Sequence, residues 1–224
     1  KQLGQLFYMD HAERGNASHT HIATNLEPDM PWLEPTPLRG NDATLLPLSH
    51  DHASDLEEAA KDGELWNLWY TSVPKPQDMK AEIDRRLELL EVGAMLPFTV
   101  LDGAGSVVGM TTMMNVDSVH QRVEIGSTWY ARRVQRSKLN TECKLLLMSH
   151  AFDSLECIAV EYRTSFFNQQ SRRAIERLGA KLDGVLRNHQ RHTDGTLRDT
   201  CVFSIIQSEW PTVNAHLRFL LNDR

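Results

Sequence analysis

Residues 123–152 read VEIGSTWYARRVQRSKLNTECKLLLMSHAF, and their order decides the fold. β-Branched and aromatic residues open the stretch as a strand, a short basic loop follows, and a strongly apolar helix closes it. Arg132, Arg133, Arg136 and Lys138 fall within seven residues of that loop, and Asn140 or Thr141 reads as the N-cap of the helix. Free N–H groups of a first helical turn, the positive end of the helix dipole and four cationic side chains together make an anion site. The spacing therefore predicts a ligand that carries phosphates.

Outward from this stretch, the pattern alternates strands and helices. Upstream, Leu38–Leu48 reads as a first strand, Asp51 as the cap of a helix to about Lys61, and Asp78–Val92 as an amphipathic helix with Glu82, Asp84, Arg85, Arg86 and Glu88 facing water. The run Leu65–Tyr70 between them is dense in aromatics. Phe98–Leu101, Val107–Val116 and His120–Tyr130 form a meander of three antiparallel strands. Downstream, Cys157–Arg163 is a strand whose connection through the apolar helix makes a β-α-β unit with parallel pairing. Asn168–Leu178 is a helix closed by Gly179, then come a hairpin around Asp194-Gly195 and a last helix over Ser208–Leu221. There is no internal repeat.

A chain of 224 residues suits one α/β domain with a single sizeable core. A net charge of −6 argues against general affinity for nucleic acid or an anionic membrane, so the basic loop is a local exception. Cys143, Cys157 and Cys201 lie in apolar patterns and read as buried, reduced thiols. No apolar run reaches membrane-spanning length and no signal-peptide core opens the chain, which predicts a soluble cytoplasmic protein. Residues 1–37 hold Pro28, Pro31, Pro35 and Pro37 without a sustained apolar period and read as an extension. His11, His19 and His21 could be imagined as ligands, but His19-Thr20-His21 lacks a Cys or acidic partner at useful spacing, so no metal is expected. Asn16-Ala17-Ser18 fits a glycosylation sequon, a chance match without a secretory signal.

The central stretch resembles the pyrophosphate-binding segment of the GNAT N-acetyltransferases, which grip coenzyme A between their fourth strand and third helix. The family signature there is Gln or Arg, two residues, Gly, one residue, then Gly or Ala. Here the matching residues are Arg133-Val134-Gln135-Arg136-Ser137-Lys138, with long cations at both small positions. Either the loop takes another path with guanidinium replacing amide contacts, or coenzyme A is held less tightly. The resemblance runs from Arg39 to Trp210, and Asn168 followed by Ser171 matches the branch that acetylates ribosomal-protein N-termini, the RimJ/RimL-like enzymes. It implies one GNAT domain over 38–224, an α/β fold with a mixed, mostly antiparallel twisted sheet of about seven strands and helices on both faces.

The same resemblance implies acetyl-CoA as co-substrate and no metal. Its contacts would come from Gly126, Ser127, Thr128 and Trp129 of the strand, from Arg133, Gln135, Arg136, Ser137, Lys138, Leu139, Asn140 and Thr141 of the loop and helix start, and from Asn168 and Arg172. Trp66, Trp69, Tyr70 and Tyr162 would line the amine acceptor's groove, although Trp66 and Trp69 also suit a core patch. Glu124 is the candidate general base, because a carboxylate beside Trp129 and Tyr130 would be partly desolvated; the competing reading pairs it with Arg122 or Arg163. Ser171 is the candidate donor to the leaving sulfur, since the position where many relatives carry a Tyr is Ile175; alternatively Asn168 and Ser171 cap the helix and bond the pantetheine. His120, His189 and His192 are further polar candidates on the acceptor side, and Arg173 joins Arg172 as a candidate for the 3′-phosphate.

The acceptor is expected to be a primary amine, either a protein N-terminus or a small amine, and the acidic chain suits a cationic one. A homodimer is left open. Two other readings remain: a non-catalytic ligand-binding homologue, and transfer of a longer acyl group such as succinyl.

Overall fold

The computed structural model describes residues 32–192 and 194–222. The histidines at 11, 19 and 21 and the sequon at Asn16 lie outside the described residues. The strands are β1 (Leu38–Arg39), β2 (Ala43–Pro47), β3 (Met95–Asp102), β4 (Val107–Asp117), β5 (Arg122–Tyr130), β6 (Ala159–Ser165), β7 (Lys181–Arg191) and β8 (Leu197–Ile206). They form one sheet in the order β1-β2-β3-β4-β5-β6-β8-β7, antiparallel throughout except for β5 beside β6. The helices are α1 (Ala53–Lys61), α2 (Met79–Glu91), α3 (Leu139–Ser149), α4 (Gln169–Arg177) and α5 (Trp210–Asn222). The expected mixed sheet is present with eight strands rather than about seven.

The extra strand comes from the first segment. Leu38–Leu48 does not run straight but folds into β1 and β2 around Gly40-Asn41-Asp42. The carboxylate of Glu142 on α3 accepts from the amides of Asn41 (2.9 Å) and Asp42 (2.5 Å), and Gly40 lies so close to it that a Cβ would collide. A long-range contact thus sets this turn. The cap ahead of α1 is Ser49, whose Oγ accepts from the Asp51 amide at 3.2 Å, in place of Asp51 itself.

Two apolar layers sandwich the sheet. Met110 and Trp129 face α1 and α2, packing with Leu56, Met79 and Ile83. Val123, Ile125, Val160, Tyr162 and Phe203 face the other way, onto α3, α4 and α5 through Leu147, Ile175 and Leu217. Trp32 and Leu33 pack against this second layer. Arg86 departs from the expected solvent face of α2: it is 2% exposed, paired with Glu82 at 2.7 Å and donating to Thr112 at 2.5 Å. Its guanidinium is thereby satisfied where the helix meets β4. All three cysteines are buried and unpaired in disulfides, as the apolar pattern implied. Among the described residues no helix is long and apolar enough to cross a membrane.

Candidate active site

The site begins where the sheet comes apart. β5 and β6 pair through only three rungs, Arg122 with Ala159, Val123 with Val160 and Glu124 with Glu161, although β5 continues to Tyr130 and β6 to Ser165. Beyond Glu124 the strands splay, and the backbone groups of β5 that point toward β6 have no ladder to join. A bulge on the β4 side adds to the distortion: the β4–β5 register slips between Met110 and Thr112, with Ser127 at φ +45. Gly126 lies against the carboxylate, since a Cβ there would come 3.0 Å from Glu124 Oε1.

Glu124 closes the paired segment and is only 6% exposed. Burial raises its pKa, while the amide of Asn115 donating at 2.6 Å and the charges of Arg163 and Arg198 pull the other way. Arg163 Nε lies 3.4 Å from Glu124 Oε2 and also pairs with Glu161 at 2.9 Å, whereas Arg122 pairs with Glu161 alone. Glu124 therefore combines both anticipated readings: a desolvated carboxylate with one shared arginine neighbour. Such a group is held in a state that takes up a proton more readily than an exposed glutamate.

Beneath the bulge sits a cation that the sequence pattern did not single out. Lys144 on α3 is buried, and its Nζ donates to Thr128 (2.8 Å) and Thr111 (3.2 Å), with no carboxylate paired to it among the described residues. Desolvation lowers its pKa to about 8. In sequence it stands in an apolar helix and looks like one polar residue on a solvated face, so only the packing reveals it.

The basic loop follows β5 as a 3-10 turn over Arg132–Val134 and enters α3 at Leu139, two or three residues earlier than Asn140 or Thr141 as cap would place it. Ser137 takes over part of the cap's work: its Oγ donates to Val134 O at 2.6 Å and lies 3.3 Å from the Leu139 amide. Arg136 stands at φ +61, the left-handed region that the family gives to glycine, so the loop keeps a glycine-type path despite the arginine. The backbone amides of Arg136, Ser137, Lys138, Asn140 and Thr141 have no acceptor among the described residues. Arg136 is exposed and Lys138 half-buried, both without a carboxylate partner there. Arg133 is committed elsewhere, to Asp62 at 3.4 Å and to Val107 O at 3.1 Å, and Gln135 donates to Tyr130 O at 3.0 Å. Leu139 is in the core and the Thr141 hydroxyl accepts from Arg177 at 3.0 Å.

On the far side of the gap, α4 starts beside the end of β6. Asn168 caps it, its side chain accepting from the Ser171 amide at 3.0 Å, while the Ser171 hydroxyl keeps no partner among the described residues. Arg172 folds back, its guanidinium 4.8 Å from the Phe166 ring centroid. The aromatics between α1 and α2 do not join either core layer: Trp66 and Tyr70 are half-buried and Trp69 is 55% exposed. Trp69 meets Phe167 (5.5 Å) and His192 (5.9 Å), so it bridges from the α1–α2 connection to the β7–β8 hairpin. Below it lies a groove of about 620 Å³ lined by Thr71, Ser72, Gln190, His192 and Arg198 among others. Tyr162, expected in this wall, is instead 2% exposed in the core on the opposite face of the sheet. His189 bonds Thr200 at 3.1 Å and His120 pairs with Asp117 at 2.8 Å. Trp129 likewise turns its side chain into the α1–α2 layer, leaving only its backbone on β5.

A family profile described as an acetyltransferase (GNAT) domain matches residues 42–181. The chain belongs to the GNAT acetyltransferase family. The family is one of acetyltransferases. This GNAT domain is 30% identical over 106 residues to YdaF of Bacillus subtilis (strain 168), provisionally named a ribosomal N-acetyltransferase. That match takes in 47% of this chain and 57% of YdaF, so the chain spans just over half the length of this curated relative. A GCN5-related N-acetyltransferase from Brucella melitensis superposes with a TM-score of 0.75 at 29% identity, covering 84% of this chain and 86% of that one. Mycobacterium smegmatis RimJ, solved in complex with CoA-disulfide, gives a TM-score of 0.70 at 20% identity over 84% of this chain and 94% of its own, a likeness of fold. Among the described residues, no group of three or more His, Cys, Asp or Glu could hold a metal ion.

The GNAT domain has what a diphosphate-bearing thioester would need from it. Five amides without acceptors surround a loop that also offers Arg136 and Lys138, and they lead directly to the unpaired edge of β5.

Proposed function

We propose that this GNAT domain is an acetyl-CoA-dependent N-acetyltransferase that passes the acetyl group directly to a primary amine. One observation carries the reading: Glu124, a desolvated carboxylate, ends the paired part of β5 where the strand edge opens. When bound, acetyl-CoA supplies an activated acyl carbon. The chain's residues do the rest. The loop amides and Arg136 hold phosphate oxygens, and amides of β5 past Glu124 donate to the acyl oxygen. Glu124 accepts the proton of the acceptor's ammonium, directly or through a water, so that the nitrogen lone pair is free to form the new C–N bond as the C–S bond breaks, and the second proton that the acylated nitrogen sheds ends on the departing thiolate. Ser171, whose hydroxyl is uncommitted, donates a hydrogen bond to the departing sulfur. Direct transfer fits the cysteines: burial pushes the Cys143 and Cys157 thiols up to about 12, so neither supplies a thiolate at neutral pH.

The acceptor class follows from the same geometry and from the relatives. Trp69 and the β7–β8 hairpin line a groove wide enough for a small amine or a peptide end, and YdaF carries a name tied to ribosomal N-acetylation. A protein N-terminal amine or an amino-acid-like compound is the acceptor this reading favours. Thiol release from acetyl-CoA against a panel of amines and N-terminal peptides tests it. Calorimetry showing no heat, together with no thermal shift, at millimolar acetyl-CoA would overturn it in favour of a non-catalytic homologue.

A further inference from the structure

We infer that the groove beneath Trp69 selects acceptors that carry a carboxylate close to their amine, with Arg198 as the carboxylate's partner. The inference rests on the proposed transfer reaction for the position of the amine, and on unspent donors for the rest.

Arg198 is half-buried in the groove wall, and its Nε is shielded from solvent without a hydrogen-bond partner among the described residues. His192 Nε2, in the same wall, is also shielded and unpartnered. Burying a guanidinium edge with nothing to accept from it costs free energy that a ligand oxygen would restore. The local carboxylates do not serve. Asp194 on the rim is engaged by the amide and hydroxyl of Thr196, at 2.9 and 2.7 Å. Asp199 is held by Arg187 and by the Asn188 amide. Glu124 lies near enough for its charge and that of Arg198 to act on each other, yet no direct pair joins them, and Glu124 is occupied by Asn115 and Arg163.

The groove wall therefore holds an unpartnered Arg198 Nε, and the Glu124 carboxylate, outside the lining, is close enough for the two charges to act on each other. An acceptor with an ammonium for Glu124 and a carboxylate for Arg198 meets both. That chemistry has two sources: the α-carboxylate of a free amino acid, or an acidic side chain next to a peptide's N-terminus. It runs against the expectation of a cationic acceptor drawn from overall charge, because selection is made by groups within a few ångströms and the distant negative charges are screened.

Paired probes test it, measured by calorimetry without acyl donor and by thiol release with acetyl-CoA. One pair is L-serine and 2-aminoethanol; the other is Ala-Glu-Glu-Ala amide and Ala-Gln-Gln-Ala amide. In at least one pair the acidic member should bind about ten-fold more tightly, and which pair responds identifies the source. Arg198→Met should bring the two members of that pair within about two-fold, while Arg198→Lys keeps part of the preference. Equal binding within both pairs by the wild-type protein, or a preference that survives Arg198→Met, overturns the inference. If Arg198→Met does not fold, the wild-type comparison at 50 and 500 mM salt decides: an acidic preference that falls with salt supports it, and none at either concentration overturns it. Thiol release from neutral acceptors with no acidic preference defeats this inference and leaves the transferase standing. Acidic preference in binding with no thiol release from any acceptor does the reverse.

Discussion

Replacing Glu124 by Gln keeps the side chain's size and a partner for Asn115 but removes the group that takes a proton. Turnover should fall by about 10²–10⁴, with coenzyme A affinity by calorimetry changing less than about two-fold. Equal losses in both would remove Glu124 from the base role. Because burial raises its pKa, wild-type kcat/KM should climb with pH through a midpoint above the ordinary glutamate range, and the variant should lack that limb. Lys144 makes the opposite kind of statement. Its native pKa of about 8 lies below that of an exposed lysine, so the unfolded chain binds more protons and stability rises as pH climbs through that window. Lys144→Met should stabilise the fold by about 3 kcal/mol at pH 7, and the gain should shrink toward pH 10 in urea titrations. Arg136 joins backbone strain to an exposed charge. Arg136→Gly should add about 1 kcal/mol of stability by relieving the left-handed cost. It should also weaken coenzyme A about five-fold if the guanidinium holds phosphate; an unchanged or tighter Kd would show that it does not.

Among the elements, α4 is the one whose start was readable down to the atom. Asn168, for which capping was one of two readings, accepts from the Ser171 amide. Asn168→Ala should cost about 1 kcal/mol in urea unfolding and Asn168→Asp little, because an aspartate still accepts from that amide. Strand and helix positions along β3, β4, β5, β7 and β8 could be read because alternation and turn residues are local signals. What escaped reading depended on partners far away in sequence. β1 and β2 separate around a turn whose amides bind Glu142, about a hundred residues on. The start of α3 moved to Leu139 because Ser137 bonds backward to Val134, an arrangement that no Asn or Thr at the next positions announces. Arg86 was assigned to water by helical spacing, yet Glu82 and Thr112 give it a buried seat.

For the molecule as a whole, the β-α-β unit and the mixed sheet were legible from the order of elements. The splay between β5 and β6 cannot be read from the residues, because nothing in VEIGSTWY or VEYRTS marks where two strands part. The groove was legible in Trp69 and, as one candidate among three histidines, in His192. Trp66, Trp69 and Tyr70 stood out, but Arg198 and Asn115 lie in ordinary hairpin sequence and acquire meaning through what they approach in space. Hydrogen exchange provides a global test of the gap. Amides of β5 from Ile125 to Thr128 that face β6 should exchange fast, those of Val123 and Glu124 slowly, and addition of coenzyme A should protect the former by about ten-fold or more. Uniform protection along β5 without ligand would mean the strands stay joined in solution.

Three rungs and then an opening also bear on traffic. A long, thin guest entering such a fissure breaks no existing strand pairing, since folding never formed any there, and the hinge cost that gated enzymes meet at each cycle does not arise from the sheet itself. Arrival and departure of the carrier should then follow single-exponential kinetics without a slow isomerisation phase, leaving the exchange of guests, rather than any rearrangement of the host's backbone ladder, to set the pace.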